Sequence, residues 1–304
     1  MQRYQMMMSD SALWTGFPFR AGDVVISPPA KCGTSWMQLL CALLVFNSTR
    51  FPRRLTEISP WLDNITYDFA ETLAALEAQQ HRRFIKTHTP LDGLPFVDGV
   101  TYLCAGRDPR DVGISFDHAL ANISDETRAT LTVKKSIDRS AMPPPPEDLR
   151  DRFWLWAERE FVNGPTGVGS LANMIQHLQT FWDRRNEPQV VLCHYHDLLT
   201  DLPGQLKRLA EALDIDLPAG RIEELAAAAT FDKARERADE LAPGVDSGLW
   251  RDNRAFFHTG TSGQWKTILS PDDQARFRNR LAELASDDLI EWLYTGWLHQ
   301  SAAR

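Results

Sequence analysis

The residues best suited to chemistry lie in three short segments, each of which directly follows a run of apolar and β-branched residues. Segment 29–36 contains a lysine, a glycine and two hydroxyl side chains, segment 86–90 contains His88, and segment 107–115 opens with an arginine. Cations, hydroxyls and free amides hold phosphate-like anions, and an imidazole moves protons near neutral pH. The three segments therefore suggest a site that binds an anion and transfers a proton.

Segment 29–36 has the composition of a phosphate-binding turn. It joins a predicted buried strand over 23–27 to a predicted buried helix over 34–46. A helix N-terminus offers free N–H groups, Gly33 allows close approach of the backbone, and Lys31 adds a cation. Lys31 precedes the glycine, so the G-x-x-x-x-G-K-[ST] order of P-loop kinases and ATPases is absent. On this pattern alone, a phosphate cradle and an ordinary strand–helix turn are equal alternatives.

His88 is a candidate general base. It follows a predicted strand over 83–87, and ligands of open parallel sheets bind beyond the carboxyl ends of the strands. The imidazole would therefore face the same crevice as Lys31. A histidine that takes a proton from an attacking hydroxyl contributes about 10²–10⁴ in rate. A lone histidine is more often a structural residue, so this alternative stays open until the other segments are considered.

Arg107 and Ser115 form a candidate site for a second phosphate. Arg107 follows a predicted strand over 100–105, and Ser115 lies two turns along a predicted helix over 110–122. An arginine fork and a serine hydroxyl suit a dianionic phosphate. The alternative is a surface network of arginines and aspartates at a helix start, and we expect Asp111 to be structural.

The elements that position these residues alternate between strand and helix. A fourth predicted strand spans 189–194, and helical patterns occupy 67–80, 110–122, 147–162, 168–186, 202–214 and 219–228. Strands that alternate with helices predict an α/β fold with a central parallel sheet and helices on both faces.

The chain is predicted to form a single domain over 1–304, because we find no internal repeat and no linker. Residues 1–20 are assigned as an N-terminal extension, and 243–270 as a long, ordered, cofactor-binding loop. The tetraproline 143–146 predicts a surface loop, since proline disrupts helices and inner strands. Residues 271–298 have a helical pattern.

Composition excludes several classes of function. The chain has 304 residues and a net charge of −8, which argues against a nucleic-acid-binding protein but not against a small basic pocket. No His/Asp cluster has the spacing of metal ligands, so we expect no metal. No apolar run approaches the roughly 18–20 residues that span a bilayer. Without a transmembrane or secretory segment, we expect a cytoplasmic protein. The four cysteines are far apart and predict buried, reduced thiols: Cys32, Cys41, Cys104 and Cys193.

Taken together, the three segments resemble those of the cytosolic-type sulfotransferases that use 3′-phosphoadenosine 5′-phosphosulfate (PAPS). P-P-A-K-C-G-T-S-W is similar to the family's Y-P-K-S-G-T-T-W loop, and K-T-H-T-P resembles its K-T-H-x-P segment. The third segment resembles R-[ND]-x-[KR]-D-x-x-x-S. The resemblance covers about residues 20–270, and segments 84–94 and 106–111 look especially like those of the mycobacterial glycolipid sulfotransferases.

The resemblance implies a P-loop-like strand–loop–helix that binds PAPS and a role for each matching residue. His88 would be the catalytic base, and Lys31 would contact the bridging and transferring oxygens. Trp36 would stack on the adenine, while Arg107 and Ser115 would bind the 3′-phosphate. The other implied nucleotide-binding residues, some from weaker matches, are Cys32, Gly33, Thr34, Ser35, Tyr195, Phe231, His258, Thr259 and Gly260.

One segment departs from the family's pattern. Residues 260–266 resemble the late R-K-G-x-x-G-x-W-K loop, but His258 and Thr259 stand where the family has arginine and lysine. The resemblance therefore implies two fewer cations at the 3′-phosphate. Either Arg251 or Arg254 compensates, or the affinity for PAPS is lower.

The expected activity is in-line transfer of a sulfuryl group from PAPS to a hydroxyl of a glycolipid or another small hydrophobic acceptor. A phenol or steroid acceptor stays open, as does a homodimer. The two alternative functions are a nucleotide-dependent kinase or other phosphotransferase, and a non-catalytic nucleotide-binding module. Four aromatic residues would line an apolar acceptor cleft or simply form core: Phe153, Trp154, Trp156 and Phe161.

Overall fold

The strands and helices are those of a computed structural model that describes residues 1–134 and 144–302. Its strands are β1 (Gln5–Met6), β2 (Ser9–Asp10), β3 (Val24–Ile26), β4 (Phe84–Lys86), β5 (Thr101–Gly106) and β6 (Val190–His194). Its helices are α1 (Thr34–Phe46), α2 (Leu55–Ile58), α3 (Phe69–Ala78), α4 (Pro109–Asn122), α5 (Asp125–Lys134), α6 (Leu149–Glu158), α7 (Leu171–Trp182), α8 (Tyr195–Thr200), α9 (Leu202–Ala212), α10 (Arg221–Ala228), α11 (Phe231–Glu236), α12 (Ala238–Leu241), α13 (Asn253–Phe256), α14 (Pro271–Ala282) and α15 (Asp287–Ala302).

Four strands form a parallel sheet in the order β4-β3-β5-β6. Ile26 at the end of β3 is in register with Lys86 at the end of β4 and with Leu103 in β5. Parallel strands bring their carboxyl ends to the same edge of a sheet. The segments that follow β3 and β4 therefore leave the sheet side by side at its carboxyl edge.

Alternate strand residues face two apolar layers, as the two-residue period of a strand requires. Val25 and Ile85 pack in a layer with α4, α6, α7, α14 and α15, whereas Val24 and Phe84 pack in a layer with α1, α9 and α10. The predicted α/β fold, with a parallel sheet and helices on both faces, is confirmed.

The sequence predicted all four strands of the sheet to within one residue at each end. Helix bounds differ by up to four residues, because helix ends depend on capping. At the start of α4, the side chain of Asp108 accepts a hydrogen bond from the amide of Arg110 (3.0 Å), and Pro109 is the first helical residue. Both features favour a helix start at this position.

Two regions differ in detail from the sequence prediction. The helical pattern over 271–298 is split between α14 and α15, and α15 is interrupted at Gly296, whose φ is 70°. The predicted loop over 243–270 contains the short helix α13 and 3₁₀ turns at Val245–Ser247 and Gln264–Thr267. Part of the predicted tetraproline loop, Pro143, lies outside the described residues.

The N-terminal residues form a hairpin from β1 and β2, which the sequence did not predict because each strand has only two residues. The amide of Met7 donates to the carbonyl of Gly167 (3.1 Å), so the hairpin is attached to the segment before α7. In the described part of the chain, no helix combines the length and the apolar character needed to cross a membrane.

Candidate active site

A cavity of about 1250 Å³ opens where β3, β4 and β5 end. It is lined by the segments that follow these three strands, by one side of α4 and by parts of 243–264. The three segments that the sequence singled out therefore surround a single space.

The turn between β3 and α1 has the backbone shape of an anion cradle. Gly33 is the residue before α1, with a φ of 99°, and it has no side chain that could cap the amides of the first helical turn. Its close packing also favours glycine, since a Cβ at this position would lie 3.2 Å from the ring of Tyr195. The Oγ1 atom of Thr34 is buried without a hydrogen-bond partner among the described residues. These free donors all lie at the positively polarised end of the helix.

Lys31 is a cation held in the cavity without an acidic partner among the described residues. Its Nζ lies 4.3 Å from the ring centroid of Phe256. Burial, together with Arg107 and Lys86, lowers the pKa of Lys31 to about 7. An anion placed beside Lys31 would stabilise the charged form and raise the pKa again.

Lys86 is a second cation in the cavity, which the sequence analysis did not single out. Its side chain is 6% exposed, and its Nζ lies 4.4 Å from the ring centroid of Trp61. Burial lowers the pKa of Lys86 to about 8, while Asp63 opposes this shift. Its position at the end of a predicted strand, two residues before His88, was a signal that could have identified it.

His88 has the orientation that a general base needs. Its Nδ1 lies 2.8 Å from the carbonyl oxygen of Pro28, which can only accept a hydrogen bond, so Nδ1 carries the proton. The other nitrogen, Nε2, is then the basic one, and the residue lines the cavity. Burial, followed by the charge of Lys86, lowers the pKa of His88 to about 3. The imidazole is therefore neutral at ordinary pH, which leaves Nε2 without a proton.

Arg107, which follows β5, is the third cation that lines the cavity. Its side chain is 5% exposed, and its guanidinium donates to the carbonyls of Lys31 (3.3 Å) and Thr261 (3.2 Å). The guanidinium carbon lies 4.2 Å from the ring centroid of Tyr195. The Nε atom is buried without a partner among the described residues. Arg107 thus joins the β3–α1 turn to the late loop and retains an unused donor.

These donors fit an anion with more than one charged group. Lys31, Lys86 and Arg107 lie around one cavity, and none of them forms a salt bridge within 4.0 Å in the described part of the chain, although Asp63 and Asp111 act on Lys86 and Arg107 electrostatically. A buried donor without a partner costs about 1–3 kcal/mol, and Thr34 Oγ1 and Arg107 Nε are two such donors. A bound phosphate or sulfate would satisfy both the charges and the donors.

Nearly all of the residues that the sequence assigned to nucleotide binding line this cavity. Trp36 donates from Nε1 to the carbonyl of Ala229 (2.9 Å) and lies edge-on to Tyr195, with ring centroids 5.2 Å apart. A Cβ on Gly260 would clash with the ring of Phe231, so this backbone lies directly against the aromatic ring. The others that line the cavity are Ser35, Ser115, His258 and Thr259.

Cys32 is the exception among the predicted nucleotide-binding residues. Its side chain is fully buried in the apolar layer and does not line the cavity. Its amide donates to the carbonyl of Pro29 (3.2 Å) instead of facing the cavity. The structure therefore gives no support to the prediction that this amide binds the nucleotide.

The late loop is attached to α4 by Asp111, whose buried carboxylate accepts from the amides of Gly263 (2.8 Å) and Gln264 (2.9 Å). This is the structural role expected for Asp111. His258 stacks on His118, with ring centroids 3.8 Å apart. 

The two arginines considered as replacements for the missing cations do not reach the cavity. Arg251 pairs with Asp125 (2.6 Å), and neither Arg251 nor Arg254 is among the residues that line it. Of the two explanations offered by the sequence, compensation by these arginines therefore has no support from the geometry.

Part of the cavity wall is apolar. Met6, Met7 and Met8 of the N-terminal hairpin line it, together with Trp156 and Phe161. The neighbouring Phe153 and Trp154 are buried in the core at 0% and 6% exposure and are not part of the wall. Of the four aromatic residues considered in the sequence, Trp156 and Phe161 thus line the cavity, whereas Phe153 and Trp154 belong to the core.

The neutral, buried state of His88 predicts a measurable effect of acid on stability. Its folded pKa of about 3 lies below the value of about 6.5 in an unfolded chain. The unfolded state therefore binds the proton first, so this contribution is fully present above pH 6.5 and is lost as the pH falls towards 3. We expect the His88→Gln variant to lose less unfolding free energy than wild type between pH 6.5 and 5, by up to about 1.4 kcal/mol per pH unit. Urea titrations at several pH values measure this difference, and parallel pH dependences would contradict it.

Comparison with known proteins agrees with this geometry. A glycolipid sulfotransferase of Mycobacterium bovis is 40% identical over 307 residues, which cover 96% of this chain and 94% of the relative. The glycolipid sulfotransferase of Mycobacterium tuberculosis has the same identity over 308 residues and the same coverage. An amine sulfotransferase of Oryctolagus cuniculus is 21% identical, over 91% of this chain and 85% of the relative.

Solved structures share the fold at low sequence identity. A retinol dehydratase in complex with androsterone and the inactive cofactor PAP has a TM-score of 0.70 and 21% identity, over 91% of this chain and 84% of that chain. A mouse sulfotransferase complexed with PAP has a TM-score of 0.67 and 19% identity, over 94% and 93%. The sulfotransferase domain family matches residues 21–288. The chain therefore belongs to the sulfotransferase domain family, which confirms the resemblance and the similarity to the mycobacterial glycolipid enzymes.

Proposed function

We propose that this enzyme transfers a sulfuryl group from PAPS to a hydroxyl of a glycolipid or another hydrophobic alcohol. The observation that carries the proposal is the position of Lys31 and His88, which follow adjacent strands and line the same cavity. PAPS has phosphate groups at two ends of its ribose and a sulfate on one of them. The three cations of the cavity suit that charge distribution.

The residues of the chain divide the work between them. His88 Nε2 takes the proton of the acceptor's hydroxyl group as the oxygen of that hydroxyl attacks the sulfur of PAPS. Lys31 and the free amides of the β3–α1 turn stabilise the negative charge that develops on the bridging oxygen as the sulfur–oxygen bond breaks. Arg107 and Ser115 hold the 3′-phosphate and so fix the donor in line with the attacking hydroxyl.

The apolar part of the cavity wall supports a hydrophobic acceptor. Methionine is flexible and polarisable, so a wall with three methionines adapts to long, irregular apolar groups. The two mycobacterial relatives that are 40% identical are named glycolipid sulfotransferases. Both the apolar composition of the wall and this similarity favour a lipid acceptor over a small phenol. Membership of the sulfotransferase domain family leaves the phosphotransferase alternative without support.

The methionine wall makes a specific prediction about acceptor affinity. In the double variant Met7→Gln/Met8→Gln, we expect the KM for a lipid acceptor to rise about 10-fold, because polar groups replace about 1.4 kcal/mol of apolar contact. The KM for PAPS should stay within a factor of about two, since neither methionine is among the residues assigned to nucleotide binding. Met1→Gln is the matched control, because Met1 is 66% exposed and does not line the cavity. Equal changes in both KM values would count against this assignment.

The proposed function is tested by incubating the protein with PAPS labelled in its sulfate, together with either a glycolipid extract or a panel of phenols and steroids. We expect the label to appear in the lipid fraction and to depend on His88. Label found solely on phenols or steroids would contradict the proposed acceptor class. No transfer to any acceptor, with PAPS bound, would favour the non-catalytic alternative.

Two further assignments are part of the proposal. The four cysteines are free and buried, which suits a reducing compartment, and we propose the cytoplasm, which cell fractionation tests. A homodimer stays a prediction that light scattering during gel filtration tests.

A further inference from the structure

We infer that Asp63 is a positioning residue that holds His88 in place through the hydroxyls of the two threonines on either side of it. This inference rests on the role of His88 in the proposed function. The side chain of Asp63 is 0% exposed. Its Oδ2 accepts from Thr87 Oγ1 at 2.7 Å and from Thr89 Oγ1 at 2.6 Å. One carboxylate oxygen thus binds the residue before and the residue after the catalytic histidine.

The backbone around Asp63 is attached to the end of β4. Trp61 and Lys86 form an isolated parallel bridge, and the amide of Lys86 donates to the carbonyl of Pro60 (2.9 Å). The carbonyl of Lys86 in turn accepts from the amide of Leu62 (3.3 Å). Segment 60–63 therefore pairs with the outer edge of β4. Where this backbone pairing ends, the carboxylate of Asp63 continues the contact through its hydrogen bonds to the two threonines.

The opposite side of the histidine segment is held by the end of β3. Ser27 Oγ donates to the carbonyl of Thr89 (2.6 Å), and the amide of Thr89 donates to Thr87 Oγ1 (3.0 Å). The ring of His88 donates from Nδ1 to the carbonyl of Pro28 (2.8 Å). The contacts on both sides together fix the backbone position of residues 87–89. The hydrogen bond from Nδ1 then fixes the orientation of the ring, and with it the direction in which Nε2 points.

A buried carboxylate is a costly way to fill space, because it loses the hydration of its charge. Burial accordingly raises the pKa of Asp63, and the two threonine hydroxyls oppose that shift. An apolar residue would pack at this position without such a cost. The geometry therefore favours a role in which the acceptor oxygen itself matters. A displacement of about 1 Å at a reacting group can cost 10²-fold in rate.

The experiment compares Thr87→Val, which removes a hydroxyl at nearly constant shape, with Thr87→Ser, which keeps the hydroxyl. We expect Thr87→Val to lower kcat about 10-fold or more with little change in the KM for PAPS, and Thr87→Ser to retain most of the activity. Asp63→Ala should show a larger loss of kcat than Thr87→Val. Thr295→Val, which removes a hydroxyl that donates to the carbonyl of Glu291 (2.8 Å) in α15, should leave kcat unchanged.

A second readout does not depend on activity. In wild type, the proton on His88 Nδ1 is hydrogen-bonded, so its NMR signal should exchange slowly with water. We expect this signal to broaden or disappear in Thr87→Val and to persist in Thr87→Ser. A slow signal in both variants, with equal kcat values, would overturn the inference. If wild type transferred no sulfate but the signal still required the Thr87 hydroxyl, the proposed function would fail while the positioning role stood.

Discussion

Replacing His88 by alanine is expected to lower kcat by about 10²–10⁴, the usual contribution of a general base, while nucleotide binding stays nearly intact. The reason is geometric: Nδ1 is engaged with the carbonyl of Pro28, so Nε2 is the nitrogen left to take the proton of the acceptor. The change removes that acceptor without removing any of the three cations. Steady-state kinetics with labelled PAPS at saturating acceptor measures the loss.

The control for this variant is His196→Ala, which removes a histidine that does not line the cavity. We expect it to retain activity within a factor of about three. Circular dichroism and thermal unfolding show whether each variant is folded. A folded His88→Ala enzyme with near-normal kcat would mean that another group, or water, takes the proton.

Replacing Lys31 by alanine is expected to lower kcat by about 10²–10³, the range found when one donor to a developing charge is removed. The affinity for the nucleotide should also fall, because one of the three cations is lost. Lys207→Ala removes an exposed lysine outside the cavity and is the matched control. Its kcat and KM values should equal those of wild type.

The pKa of Lys31, about 7, adds a pH dependence to this prediction. Below pH 7 the free enzyme already carries the charge, so nucleotide affinity should be nearly independent of this group. Above pH 7 the anion must draw a proton onto the lysine, so affinity should fall by up to about 10-fold per pH unit, with uptake of that proton. Calorimetry in buffers of different ionisation enthalpy detects the uptake. Proton uptake that persists in Lys31→Ala would assign it to a different group.

The sequence predicted the sheet well because its strands are short apolar runs with clear ends. Each run of the type Val24–Ile26 is buried on both faces and bounded by turn residues, so its assignment needs no knowledge of tertiary packing. The same holds for the site residues that directly follow a strand. Lys31, His88 and Arg107 lie around one cavity because parallel strands place their ends together.

The features that sequence reasoning missed depend on contacts between distant parts of the chain. Asp63 lies in a segment without periodicity, and its partnership with Thr87 exists solely because that segment pairs with the end of β4. The hairpin that carries Met7 consists of strands of two residues each. Cys32 was predicted to be a buried thiol that offers its amide to the nucleotide; its side chain is buried in the core, and its amide donates to the carbonyl of Pro29.

The central claim is that Lys31 and His88 act on opposite sides of one transferring group. It is tested most directly by a crystal structure with 3′-phosphoadenosine 5′-phosphate bound, in which the distances from the 5′-phosphate to Lys31 Nζ and His88 Nε2 are measured. We predict hydrogen-bond contact, about 3 Å, between that phosphate and both Lys31 and the amides that begin α1, with Nε2 of His88 directed at the space beyond it. A 5′-phosphate bound away from this turn, or an imidazole facing away from it, would contradict the account.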